Sequence, residues 1–199
     1  MKIQLKLATI AIIAVALAFG ACNRNSEDDP VTPVIHAIGD AYGGGKVAYI
    51  LVSGDPGYDP AVQHGLIAAT ADQSSGISWA LVANQGTTVP PPGASGTAIG
   101  TGLANTNAIV GQNGVGITYA AGLARAYNGG SYTDWYLPSK DELNKLYLNR
   151  GAIGGFAADY YWSSSEYNAS FAQLQNFNNG SQLDTNKSST IYVRAVRSF

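Results

Sequence analysis

The sequence predicts an α+β domain of short strands, long loops and two helical segments. Three observations carry that expectation. Gly (24 residues) and Tyr (12) are abundant while only 12% of the chain is charged, a mix poor in helix formers and rich in turn and strand residues. β-rich runs bounded by turn residues recur, as in Lys46-Val47-Ala48-Tyr49-Ile50-Leu51-Val52 between Gly43-Gly44-Gly45 and Ser53-Gly54-Asp55-Pro56-Gly57. Helical spacing appears in two places, Ile117–Tyr127 and the segment that follows Pro138.

The 199 residues allow one domain with a short appendage, and 46% apolar content allows a substantial core. Residues 1–21 read as a signal peptide. Lys2 and Lys6 form a positive start, Leu7–Phe19 is an apolar run too short to span a bilayer comfortably, and Gly20-Ala21 precede Cys22. The pattern resembles the bacterial lipobox, which implies lipidation at Cys22 and an outer-membrane or cell-surface lipoprotein of a Gram-negative bacterium. Phe19 departs from the aliphatic residue favoured there, and the alternative is an ordinary signal peptide with an incidental cysteine.

Residues 22–33 form an acidic tether. Ser26-Glu27-Asp28-Asp29-Pro30 reads as an extended spacer, and it also resembles the surface-export signal of some lipoproteins. Cys22 is the only cysteine, so the domain over 34–199 has no internal disulfide and rests on its core. Removing residues 1–21 takes away two of the 11 basic residues and leaves nine against 13 acids, a net charge of −4. An acidic surface argues against nucleic acid as a partner.

Along the domain, Val62–Ala71 reads as a buried short segment with His64 as a hydrogen-bonded core residue. Ile77–Val82 reads as a short strand or core-anchoring loop around Trp79, and Gly86–Gly96 as an irregular loop. Asn105–Val110 is expected to form a helical turn, and Asn128-Gly129-Gly130 to stop the helix of Ile117–Tyr127.

The clearest local signal follows. Pro138 sets the approach, Ser139 is an N-cap, and Glu142 completes a capping box. Asp141 and Lys145 are spaced as an i,i+4 pair, Leu143, Leu146 and Tyr147 make the apolar stripe, and Gly151 is the expected stop. Tyr160-Tyr161-Trp162 should be a buried strand leading into a tight corner at Ser163–Tyr167. In that corner the hydroxyls and Glu166 would satisfy nearby donors, with Glu166 paired to Arg194 or Arg197. Ile191–Phe199 reads as one strand of period two.

Together, Asp134-Trp135-Tyr136-Leu137-Pro138-Ser139 with Glu142-Leu143, Tyr161-Trp162-Ser163-Ser164-Ser165-Glu166 and Val193-Arg194-Ala195-Val196-Arg197 resemble the Lcl C-terminal domain family of bacterial exported proteins. Gly44–Ile50 resembles the family's opening strand. The resemblance implies a C-type-lectin-like fold: two helices around a small mixed or antiparallel sheet, with long loops over one face. It implies Trp135, Trp162, Glu166, Arg194 and Arg197 as scaffold. Some relatives resemble adhesins for sulfated polysaccharide, but the basic patch that such binding needs is missing here. The fold is shared with calcium-dependent lectins and formylglycine-generating enzymes, whose ligating triplets and paired catalytic cysteines have no counterpart, so neither metal nor cofactor is expected.

The interval Asn168–Ile191 resembles the variable region of diversity-generating-retroelement proteins. Ala169, Ser170, Phe171, Leu174, Leu183, Asp184, Thr185, Asn186, Ser188, Ser189, Thr190 and Ile191 belong to the set such diversification yields, while Lys187 stands apart from it. The alternative is an ordinary surface loop. Apolar Phe171, Leu174 and Leu183 amid polar neighbours suit a binding face. The expected function is therefore a surface-anchored lipoprotein that binds a glycan or a host or bacterial surface protein through Ala169–Thr190. A structural envelope or fimbrial subunit is an alternative. An enzyme is a weaker one: Glu166, Asp184 and His64 are the candidate acid–base groups, with no aligned nucleophile and base.

Overall fold

The computed structural model describes residues 34–199. Residues 1–33, on which the expected signal peptide, the expected lipidation of Cys22 and the expected acidic tether fall, lie outside the described residues. In chain order the elements are β1 (Ala41–Tyr42), β2 (Gly45–Ile50), β3 (Gly65–Ala68), β4 (Ser74–Ile77), α1 (Gly102–Asn113), α2 (Ala120–Ala126), α3 (Lys140–Leu148), α4 (Arg150–Ile153), β5 (Tyr160–Glu166), β6 (Phe171–Asn176), β7 (Gln182–Asn186), β8 (Ile191–Val193) and β9 (Val196–Ser198). This is the α+β class that the sequence predicts, and the arrangement is compatible with the C-type-lectin-like fold implied by the resemblance.

Two sheets organise the domain. One is antiparallel in the order β1-β2-β3-β9. The other runs β4-β8-β5-β6-β7 and is mixed, because β5 and β8 are parallel while the remaining pairs are antiparallel. Trp79, Trp135 and Trp162 are fully buried in one hydrophobic cluster with Ile67, Ile109, Leu137 and Val193. Each indole N–H donates to a backbone carbonyl: Trp79 to Ser163 at 2.8 Å, Trp162 to Ile77 at 2.9 Å, Trp135 to Gly129 at 3.1 Å. Burying these rings therefore leaves no orphaned donor.

The capping box of α3 forms as expected: the Glu142 N–H donates to Ser139 Oγ at 3.3 Å and the Ser139 N–H to Glu142 Oε2 at 2.8 Å. A second N–H, from Gly100, reaches Oε1 at 2.8 Å, and a Cβ on Gly102 would run into the same carboxylate. Burial nonetheless pushes the Glu142 carboxyl above its ordinary pKa.

Several expectations are corrected. The single turn at Asn105–Val110 is a 12-residue helix, α1. Gly151 does not stop α3. That helix ends at Leu148 with Asn149 as its C-cap, and Gly151 lies inside the short α4, whose stop is Gly154 at φ +77°. There are thus four helices among the described residues where two were expected. The Lys145 ammonium sits over the Tyr49 ring, 4.4 Å from its centre.

Ser163–Glu166 is no corner but the buried continuation of β5. Its hydroxyls do satisfy nearby donors, Ser163 Oγ accepting from the Ser165 N–H at 3.2 Å and Ser165 Oγ from the Lys140 N–H at 3.0 Å, and they in turn donate to the Gln173 and Gly96 carbonyls, both at 2.7 Å. Ile191–Phe199 is two strands, β8 and β9, in different sheets. The chain crosses between the sheets at Arg194-Ala195, so both parities are buried there and the period of two is lost.

Candidate functional site on the β6–β7 hairpin

Three buried cations hold the C-terminal third, and each has its own carboxylate. Lys187 Nζ lies 2.6 Å from Glu166 Oε1, donates to the Thr87 carbonyl at 2.8 Å and sits over the Trp79 ring. Arg194 Nε lies 2.7 Å from Asp72 Oδ1, and its other nitrogens reach the carbonyls of Ala69 and Gly155. The Tyr161 hydroxyl donates to the second Asp72 oxygen at 2.8 Å, and burial drives the phenol pKa up. Arg197 grips Asp134 with two bonds of 2.7 and 2.8 Å and stacks on Tyr132. Those bonds hold the Asp134 carboxyl below the ordinary range.

The expected pairing of Glu166 with Arg194 or Arg197 is therefore corrected. Glu166 ends β5 beside the β7–β8 turn, where Lys187 is inserted, while the arginines lie past β8, near Asp72 and Asp134. Lys187 is the functional residue that sequence reasoning missed as a scaffold group. The signal available was its isolation: it is the one cation between Asn168 and Thr190. Its backbone is pinned as well, its N–H donating to Ser170 and its carbonyl accepting from Trp79, both at 2.9 Å.

Between these anchors, Asn168–Thr190 is not a loop but a regular hairpin, and its register decides which side chains share a face. The pairs are Phe171–Asn186, Ala172–Thr185, Gln173–Asp184, Leu174–Leu183 and Gln175–Gln182. Directly paired residues project to the same side, and the side alternates at each step. Ala172, Leu174, Leu183 and Thr185 therefore face one way. Phe171, Gln173, Gln175, Gln182, Asp184 and Asn186 face the other. The second side runs down onto α3, where Gln175 Nε2 donates to Asn144 and Gln182 Nε2 to the Lys140 carbonyl.

On the first side lies a shallow depression of about 220 Å³. Leu174 and Ile191 form its apolar floor, and Leu183, Tyr160, Thr185 and Ser189 form its rim, with Asp184 at its border. Thr185 Oγ1 and Ser189 Oγ stand 3.5 Å apart on that rim.

Leu174 is the contradicted member of the proposed exposed set. It is 3% exposed, because its position on β6 points it into the core beside Ala172. Leu183 is 49% exposed and Phe171 37%, but they stand on opposite sides of the hairpin. Asp184, Asn186, Ser188 and Thr190 are exposed, and Ala169, Ser170, Thr185 and Ser189 are half-buried. Ala169 and Ser170 belong to the β5–β6 turn, whose Asn168 side chain accepts the N–H groups of Ser170 and Phe171 at 2.9 Å. Ser188, Ser189 and Thr190 belong to the β7–β8 turn, closed by Asn186 and pinned by Lys187. Trp135, Trp162, Glu166, Arg194 and Arg197 are all buried.

The stretch of chain that supplies these frame residues matches a known family profile, that of the Lcl C-terminal domain, over residues 68–197. The chain belongs to the Lcl C-terminal domain family. Gly44–Ile50, which resembles the family's opening strand, precedes the matched residues. No curated protein matches the chain. The match takes in β4 to the middle of β9, and with them the whole hairpin and all three cation–carboxylate pairs.

Within this Lcl C-terminal domain the three candidate acid–base groups are not brought together. Glu166 is buried against Lys187. Asp184 is on the outer side of β7. His64 precedes β3 in the other sheet, its Nδ1 3.1 Å from the Phe199 carbonyl.

Proposed function

We propose that this Lcl C-terminal domain is a ligand-binding module, displayed at the cell surface by a lipid on Cys22, whose recognition site is the depression on the β6–β7 hairpin. The observation that carries the reading is the contrast inside that depression. Its floor is fixed core, while its rim is an apolar anchor, Leu183, among adaptable hydroxyls that the frame leaves unconstrained. Binding sites combine those two features. The ligand is a glycan or a surface protein, and the module acts by binding, without a catalytic step. The same contrast supports diversification of the rim residues, since Leu183, Thr185 and Ser189 change the site without touching the ion pairs.

The test is binding of residues 23–199 to a glycan array and to cell-surface protein extracts, repeated with Leu183→Ala. Loss of a captured ligand in a variant that melts like wild type is expected. Unchanged capture would remove the depression from the site. A near-copy of the hairpin codons beside a reverse-transcriptase gene, differing only at adenines, would establish diversification; a neighbourhood without one would refute it.

A further inference from the structure

The hairpin offers more than its depression: β7 is the outer strand of the five-stranded sheet, and among the described residues β6 is its one neighbour. Other sheet ends are blunted. β1 has two residues, β4 shifts register between Ser74 and Ile77, and Tyr136 bridges to β9 at Val196. By contrast β7 keeps an unbroken register over five consecutive pairs and contains neither proline nor lysine. Edges of that kind are ready templates for another strand.

The direction of its backbone groups follows from the bonds that flank the ladder. Asn176 N–H donates to the Ser181 carbonyl and Lys187 N–H to the Ser170 carbonyl, each at 2.9 Å. On the far side of β6, Phe177 N–H donates to Asp159 at 2.8 Å, which gives the opposite parity for the β5 side. Hydrogen-bonded pairs alternate in an antiparallel ladder. Leu183 and Thr185 therefore direct their N–H and C=O groups at β6, and Gln182 and Asp184 direct theirs outward. The Asn186 carbonyl is already taken by the Ser189 N–H at 2.9 Å.

Charge selects the occupant. The exposed Asp184 carboxylate has neither ion pair nor hydrogen bond among the described residues. It projects to the side away from the depression, one residue from Leu183. A second copy adding its own β7 would bring Asp184 near Asp184, an unfavourable like-charge approach.

We infer that β7 takes up an extended peptide segment of alternating apolar and basic residues as an added strand, an apolar side chain entering the Leu183 depression and a lysine or arginine meeting Asp184. The inference rests on the depression reading and names its partner class. Main-chain bonds to Gln182 and Asp184 supply affinity, and the two sides of the strand supply selectivity.

The test uses the full-length chain in detergent micelles and an acetylated peptide of alternating valine and lysine, with a valine–glutamate peptide as control. Saturable binding of the lysine peptide is expected, with slowed hydrogen exchange at the Gln182 and Asp184 amides and little binding of the control. Asp184→Pro removes the outward donor at an edge position where proline is tolerated, and should weaken binding by about tenfold or more. Asp184→Asn, which keeps the donor, should weaken it less. No exchange protection at saturating peptide overturns the inference, as does wild-type affinity in a folded Asp184→Pro chain; the exchange result stands even if that variant unfolds. A Leu183-dependent glycan ligand without peptide protection would sink strand addition and leave the depression reading intact. Peptide protection that ignores Leu183→Ala would keep the added strand but overturn both the depression reading and the apolar contact inferred with it.

Discussion

The buried side of the hairpin's anchorage and its outer surface differ in how completely their polar groups are partnered. Lys187, Arg194 and Arg197 each have a carboxylate and at least one carbonyl. The Asp184 carboxylate accepts from no donor and meets no cation among the described residues, and Asn186, Ser188 and Ser189 bond chiefly within their own turn. A residue whose every donor is committed to a distant segment cannot change without leaving an orphan. A residue committed only to its neighbours can. The frame is fixed for that reason and the surface is free, a distinction of bonding rather than of exposure alone.

The sharpest way to break this contrast is to replace Lys187. Lys187→Met leaves the Glu166 carboxylate buried with one remaining donor, the Val89 N–H at 2.9 Å. Removing one partner of a buried pair costs about 3–5 kcal/mol. Urea denaturation should show that loss, and the double variant Lys187→Met with Glu166→Gln should recover part of it. A single variant as stable as wild type would mean that the ammonium does not pin the turn. The second largest effect should come from Ser139→Ala, which deletes an N-cap and the Ser139 Oγ bond to the Ala98 carbonyl at 2.9 Å. A loss of about 1 kcal/mol is expected by the same measurement.

These two residues also mark how far the sequence can be read. Ser139 and Glu142 are three residues apart, and a cap is a local device, so the start of α3 is legible in the residues themselves. Lys187 and Glu166 are separated by 21 residues, and their meeting depends on the whole hairpin folding back. The hairpin itself is hidden for a related reason. Its apolar side is short, Ala172 and Leu174 packing into the core and Leu183 at the rim, while Gln173, Gln175, Gln182, Asp184 and Asn186 share the side that runs onto α3. The alternation, Ala172-Gln173-Leu174-Gln175 and Gln182-Leu183-Asp184-Thr185, is present but only four residues long in each strand and set among Asn, Ser and Thr, so the interval reads as a loop. Tyr161-Trp162 signals β5 plainly, since both rings are buried, although Tyr160 before them is exposed rather than buried as expected. Its serine continuation reads as a turn because burial of three hydroxyls requires acceptors that local sequence does not reveal.

A smaller effect is expected at Asp134, the outermost member of the frame, whose side chain is 53% exposed. Its folded pKa lies below the unfolded one, so its contribution is present above the ordinary carboxylate range and is lost as pH falls through the folded value. Solvent screening limits that contribution to about 0.2–1 kcal/mol. Thermal melts of wild type and Asp134→Asn should therefore differ slightly at neutral pH and converge in acid, with the gap narrowing at high salt. Glu142 acts in the opposite direction. Its raised pKa favours the protonated, folded form in acid, so its contribution fades as pH rises through that raised value. The two groups should flatten the acid limb of the stability profile in wild type and steepen its relative loss in Glu142→Gln.

The smallest stability effects, and the most informative, belong to Phe171 and Leu183. Both are partly exposed on strands and neither is bound into the ion-pair frame, so truncation to alanine should cost less than about 0.5–1 kcal/mol. Their positions separate them for binding. Leu183 pairs with Leu174 above the depression, whereas Phe171 pairs with Asn186 on the opposite side. A ligand seated in the depression should lose affinity in Leu183→Ala and keep it in Phe171→Ala. Equal losses would require a ligand that wraps the hairpin edge and touches both sides, which an added strand on β7 could do through neighbouring residues. A loss confined to Phe171→Ala would move the recognition surface to the face shared with Asp184 and Asn186. Measuring the two single variants separately, rather than as a pair, is what distinguishes a pocket from an edge.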